Sequence, residues 1–177
     1  MKVLFIYPNH KGMNMLPPAI GLLSACLKRD GHTVQLFDTT HYNSVKIGEE
    51  VDDTDSDKSK SDRLMAKPYR NPKEITLKYS NVFEDFKNTV DTYSPDLLAL
   101  STTEDMFHLG LSLLKSLKGQ SPLTIAGGVF PTFAPELVLS FDEIDIVCKG
   151  EGEVALSELC KRLELKKDFT DIPNIWT

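Results

Sequence analysis

The chain has little of what marks several large functional classes. It holds three cysteines and one tryptophan in 177 residues, and no stretch approaches the roughly 18–20 apolar residues needed to cross a bilayer. Cys26, Cys148 and Cys160 are widely spaced with no CxxC or CxxxCxxC pairing. Each sits in an apolar run where a thiol serves as a small hydrophobe, which argues against a metal or iron–sulfur site built within this chain. There is no basic excess: 20 Lys and Arg against 26 Asp and Glu leave a formal charge of −6, the wrong sign for a nucleic-acid binder. Most of that acidity is local. Between Glu49 and Asp62 seven acids face Lys58 and Lys60, a net of −5, so the remainder is close to neutral. Met1-Lys2 leads straight into a strand-like run, with no signal peptide, and a reducing cytoplasm is the expected compartment.

What is present reads as alternating strand and helix. Apolar residues make up 41% and charged residues 26%, ordinary for one soluble domain of this length. Lys2–Tyr7 is a continuous apolar run stopped by Pro8, the pattern of a strand covered on both faces. Pro17-Pro18 opens a helix whose stripe Ala19, Leu22, Leu23, Cys26 and Leu27 is expected to face the core, and Gly31 stops it. Strands are expected again at Thr33–Phe37, Asp96–Leu100, Leu123–Ala126 and Ile144–Cys148. Helices are expected around Val82–Tyr93, Met106–Leu117, Pro135–Leu139 and Leu156–Leu163. Thr39 to about Tyr79, with the acidic run, Pro68 and Pro72, reads as a partly mobile insertion. The tail, Asp168 to Thr177, including Ile172-Pro173-Asn174-Ile175-Trp176, shows no convincing element. The expected fold is α/β, doubly wound and flavodoxin-like (Rossmann-like): a five-stranded parallel sheet of order 2-1-3-4-5 with an insertion after strand 2.

In such a sheet, ligands bind beyond the carboxyl ends of the strands. That edge carries Pro8, Asn9 and His10, then Ser101, Thr102 and Thr103. It continues with Gly127, Gly128, Val129, Phe130 and Pro131, and with Gly150, Glu151 and Gly152. Adjacent glycines let backbone approach a ligand where any Cβ would collide, although an ordinary turn explains Gly127-Gly128 equally well. Glu151 and Glu153 suit a helix start as well as they suit a ligand. His41, His108 and the Met13-Asn14-Met15 stretch point to no definite role, and no catalytic residue or metal ligand is assigned. Familiar alternatives lack their signatures. No GxGxxG follows the first strand, its loop is not the Ser/Thr/Gly-rich cradle of a flavin phosphate, and the acids of a phospho-receiver are replaced by Tyr7-Pro8 and Ser101.

Combined motifs carry a family resemblance. Pro17-Pro18-Ala19-Ile20-Gly21-Leu22-Leu23, then Gly31-His32-Thr33-Val34 ending at Asp38, resembles the opening of the cobalamin-binding domain of cobalamin-dependent radical SAM proteins. The run Ala126 to Thr132 with Pro135-Glu136, then Asp145-Ile146-Val147 and Gly150-Glu151-Gly152-Glu153, resembles its continuation to about residue 163. Asp171-Ile172-Pro173-Asn174-Ile175-Trp176 looks like the linker (164–177) that precedes the radical SAM barrel. The resemblance implies a cobalamin-binding module, residues 1–163, positioning its corrinoid for methyl transfer or cyclase chemistry. Members include methyltransferases and the oxygen-independent magnesium-protoporphyrin ester cyclase. S-adenosylmethionine and a four-iron four-sulfur cluster would belong to a downstream domain of the same polypeptide. The cofactor's nucleotide tail would lie near Ser101 and Gly127-Gly128. The related DxHxxG loop, whose histidine binds cobalt, is altered here: Pro8 replaces its Asp, and Gly12 follows His10 by two residues. His10 is therefore expected to contact the cofactor without ligating cobalt. Two other classes remain to be weighed, a stand-alone enzyme on a small phosphorylated or nucleotide-like substrate and a degenerate protein-interaction domain.

Overall fold

A computed structural model describes residues 1–10, 16–43, 76–117, 119 and 121–177. Five parallel strands form the body of the sheet: β1 (Lys2–Tyr7), β2 (Thr33–Asp38), β3 (Leu97–Ser101), β4 (Leu123–Gly127) and β5 (Ile146–Cys148). Between them run α1 (Pro18–Arg29), α2 (Val82–Tyr93), α3 (Glu104–Lys115), α4 (Val129–Phe133), α5 (Pro135–Leu139) and finally α6 (Glu153–Glu164). The strand order is β2-β1-β3-β4-β5-β6, so the expected 2-1-3-4-5 order is present with one strand added. That addition is β6 (Ile175–Trp176), antiparallel to β5 through Val147↔Trp176 and Cys148↔Ile175. A two-residue edge strand has no periodicity to read, so only pairing reveals it.

Strand alternation sorts the core into two layers. Leu4, Ile6, Leu98, Leu100, Ala126 and Val147 pack with Phe86 and Val90 of α2 and Phe107 and Leu111 of α3. Val3, Phe5, Leu97, Ala99, Ile125 and Ile146 face Ile20 and Leu27 of α1 and Leu156 and Leu159 of α6. Phe86 is fully buried, with its ring centroid 5.1 Å from that of Phe37. Truncating it leaves a cavity that the surrounding strands cannot fill. Phe86→Ala should therefore lower unfolding free energy by about 3–5 kcal/mol in urea titration.

Two local patterns depart from sequence expectation. On α1 the buried residues are Ile20 and Leu27, whereas Leu22 is half exposed and Ala19 is exposed. The apolar stripe is wider than the core-facing face because part of it serves a cleft described below. The ends of the expected insertion are also built into the fold: Thr39 and Tyr42 are buried, and Tyr42 bridges in parallel to Lys78. The Tyr42 hydroxyl donates to Asp85 at 2.9 Å, tying this stem to α2. The acidic run and the Met13–Met15 stretch lie outside the described residues.

Candidate functional site

The order of strands reverses between β1 and β3, and a cleft opens there on the α1/α6 side of the sheet. Its floor is Phe5 of β1, Ala99 and Ser101 of β3, and Ile125 and Gly127 of β4. Ala19 and Leu23 of α1 form one wall, and Leu156 of α6 forms another. The loop Gly150-Glu151-Gly152 closes the far end beside Cys148. Counted out to its open mouth, the cleft holds about 630 Å³. The slot suits one flat ring system, and a larger macrocycle would have to lie across the mouth.

Small side chains create the slot. Ala99, Ser101 and Gly127 occupy consecutive cleft-facing positions on β3 and β4, and Ser101 pairs in register with Gly127. Gly127 has ordinary extended backbone, and a Cβ built on it finds its nearest neighbour, Cys148 Cβ, at 3.8 Å. The protein itself would accept a side chain there, which would fill the cleft. Gly128 is glycine for another reason. Its φ is 105° and ψ −166°, a region essentially closed to other residues, and a Cβ would stand 2.7 Å from the Thr102 carbonyl oxygen. Thr102 cannot retreat, because its N–H donates to the Gly127 carbonyl at 3.0 Å. Thus one glycine shapes the cleft and its neighbour lets two loops touch.

Burial, followed by the nearby carboxylates of Glu153 and Glu151, pushes the Cys148 thiol up to about 11. At neutral pH it is a protonated, apolar wall and not a thiolate ligand. Among the described residues no cluster of three or more His, Cys, Asp or Glu side chains is arranged to hold a metal. Glu153 stands in the first turn of α6, where the helix dipole favours a carboxylate.

Of the residues expected from sequence, Ser101, Gly127, Gly128, Gly150, Glu151 and Gly152 converge on this cleft. The others are placed elsewhere. Pro8 is buried, and a Cβ built on Gly110 of α3 would lie 3.4 Å from its Cγ. Asn9 is fully buried: its N–H donates to Thr39 Oγ1 at 2.8 Å, and its carbonyl accepts from the same hydroxyl at 2.8 Å. It fastens the β1 and β2 loops together. His10 follows, partly buried. Thr102 is buried and Thr103 donates to the Asp105 carboxylate at the start of α3. Val129 to Pro131 form the start of α4 and not an open loop. Val129 is exposed, whereas Phe130 packs on the opposite layer with its ring 5.0 Å from Phe107, and Pro131 is buried. Sequence reading passed over Phe5, Ala19, Leu23, Ala99, Ile125, Cys148 and Leu156. The available signal was the alternation of small residues, Ala99, Ser101 and Gly127, at strand positions facing one side.

A family model described as B12 binding domain matches residues 10–160. No curated protein matches the sequence. Among solved structures, the radical S-adenosylmethionine methyltransferase TsrM from Kitasatospora setae, with tryptophan substrate and a SAM analog bound, is 16% identical with a TM-score of 0.69. The match covers 98% of this chain and 28% of TsrM. TsrM with cobalamin and a 4Fe-4S cluster bound gives 17% identity and a TM-score of 0.64, over 98% of this chain and 26% of that one. The cobalamin-dependent S-adenosylmethionine radical enzyme OxsB gives 18% and 0.64, over 98% of this chain and 20% of OxsB. At these identities the likeness is one of fold, and the chain spans between a fifth and just over a quarter of those proteins.

Proposed function

Because the chain belongs to the B12-binding domain family, we propose that it holds cobalamin with the nucleotide tail in the cleft between the sheet and helices α1 and α6. The single observation that carries this is Gly127, an extended strand residue whose missing side chain leaves open the slot that its neighbours line with apolar atoms. The residues present fit such a group. Phe5, Ala99, Ile125 and Leu156 give a flat apolar ring the contacts it needs, while the Ser101 hydroxyl offers a hydrogen-bonding group on the floor. Bound there, cobalamin would supply methyl-carrying and redox chemistry at its cobalt. This chain's residues orient the cofactor, cover its tail from water and keep a neutral thiol beside it.

The consumer of that chemistry is proposed to be a radical SAM domain of the same polypeptide, following residues 164–177 and bringing S-adenosylmethionine and an iron–sulfur cluster. TsrM, a radical S-adenosylmethionine methyltransferase with cobalamin and a 4Fe-4S cluster bound, and OxsB, a cobalamin-dependent S-adenosylmethionine radical enzyme, are chains several times longer. A methyl transfer or cyclisation would then belong to the complete protein. The stand-alone enzyme is not favoured, since the cleft is walled by apolar side chains and its thiol is held protonated. A cytoplasmic setting is consistent with three unpaired cysteines, and among the described residues no helix is long and apolar enough to cross a membrane.

Titration of the purified chain with hydroxocobalamin, followed by visible absorption and by co-elution on gel filtration, tests the reading. Saturable one-to-one binding in the micromolar range is expected. No spectral change and no co-elution at high micromolar cofactor would overturn it.

A further inference from the structure

The wall of the cleft at Gly150–Gly152 is held from two sides by side chains that do not line the cleft. On one side stands Asn174, in the tail, with φ of 71°, a left-handed conformation that asparagine tolerates better than most residues. Its carbonyl accepts from the Lys149 N–H at 2.8 Å, and its side-chain amide donates to the Glu151 carbonyl at 3.1 Å. One residue therefore brackets Gly150 on both flanks. On the other side, the Thr132 hydroxyl of α4 accepts from the Gly150 N–H at 3.0 Å and donates to the Gly128 carbonyl at 2.8 Å. An unbroken path of hydrogen bonds thus runs from the tail, through the β5–α6 loop, to the loop after β4. The Lys149 ammonium adds a contact, 4.8 Å from the centroid of the Trp176 ring.

We propose that Asn174 and Thr132 are positioning residues for the cofactor cleft, and that docking of the tail as β6 is energetically coupled to corrinoid binding. The inference rests on the cleft being the corrinoid site. A loop rich in glycine gains order only from its partners, and here one of them, Asn174, belongs to the tail that docks as β6. A ligand that needs the loop in its docked position must then favour the docked tail, and the reverse holds by linkage. Whatever domain follows the tail would sense whether the cleft is filled through the position of residues 174–176.

Two variants and one restoring substitution test this in the 177-residue chain. Asn174→Gly keeps the left-handed backbone and removes the side-chain half of the bracket, so thermal stability should stay close to that of the parent. Thr132→Val removes the bridging hydroxyl at nearly constant shape, and Thr132→Ser restores it. Amide hydrogen exchange at residues 149–152 is expected to quicken about tenfold in Asn174→Gly and Thr132→Val and to return in Thr132→Ser. The hydroxocobalamin Kd should weaken by about tenfold in the first two variants alone, and cofactor should slow exchange at Ile175 in the parent protein. Unchanged loop exchange in both variants overturns the bracket. Altered exchange with unchanged Kd overturns the coupling. If the parent chain binds no hydroxocobalamin, the function proposed above fails, while the exchange measurements still decide the bracket.

Discussion

Gly127→Val is expected to abolish measurable corrinoid binding, weakening Kd at least about 100-fold, while the domain remains folded. The side chain would enter the slot between Ala99, Ile125 and Leu156. A valine there takes the place of atoms that a flat ring would otherwise contribute, and no rotamer removes it from the strand face. The protein has room for it, with the nearest atom to the new Cβ at 3.8 Å. Valine also suits an extended strand better than glycine does, so stability should hold or rise slightly. Visible-absorption titration and thermal unfolding on the same sample separate the two effects. Retained binding in a folded Gly127→Val protein would move the cofactor tail out of this cleft. Loss of fold would show instead that the glycine serves packing.

Gly128→Ala should do the opposite. With φ of 105° and ψ of −166°, the backbone lies where a Cβ is strained, and that Cβ would meet the Thr102 carbonyl oxygen at 2.7 Å. The strain alone costs about 1–3 kcal/mol, and relieving the contact means breaking the Thr102–Gly127 backbone bond. A loss of about 3 kcal/mol is expected, or a fall in Tm of roughly 10 °C for a domain of this size. Chemical denaturation measures it, with Gly127→Ala as the matched control that should change little. A Gly128→Ala protein as stable as its parent would mean that the two loops can part freely. The cleft's position between fixed strand ends would then need another explanation. Those two outcomes together would divide one dipeptide into a residue kept for a ligand and a residue kept for the fold.

The same pair shows where sequence reading stops. Two glycines after a strand mark a place where side chains are unwelcome, but the reason depends on what lies opposite. For Gly128 that is the backbone after β3, and for Gly127 it is the cleft, with Cys148 in ordinary van der Waals reach at 3.8 Å. Sequence separation between these segments is about 25 residues, and their distance follows only from strand order and register. Asn9 makes the point differently. It stands at a strand end where ligands bind, yet its backbone polar groups are spent on Thr39, so burial and not position decides its role.

By itself the sequence determined the class of fold and pointed to the carboxyl edge of the sheet as the candidate ligand site. Apolar runs stopped by proline or glycine, alternating with 3.6-residue stripes, leave little besides a parallel sheet covered on both faces. The motif pattern from Pro17 to Glu153 pointed to the family because those residues make local turns and helix starts, which neighbours in the chain largely dictate. Tertiary structure alone decided which strand-end residues share a cleft, that Phe130 turns to the far layer, and that the tail adds β6 to the sheet. Each of these depends on contacts between segments distant in sequence. A short edge strand or a gap between layers has no periodicity of its own, and it exists only once its partners are in place.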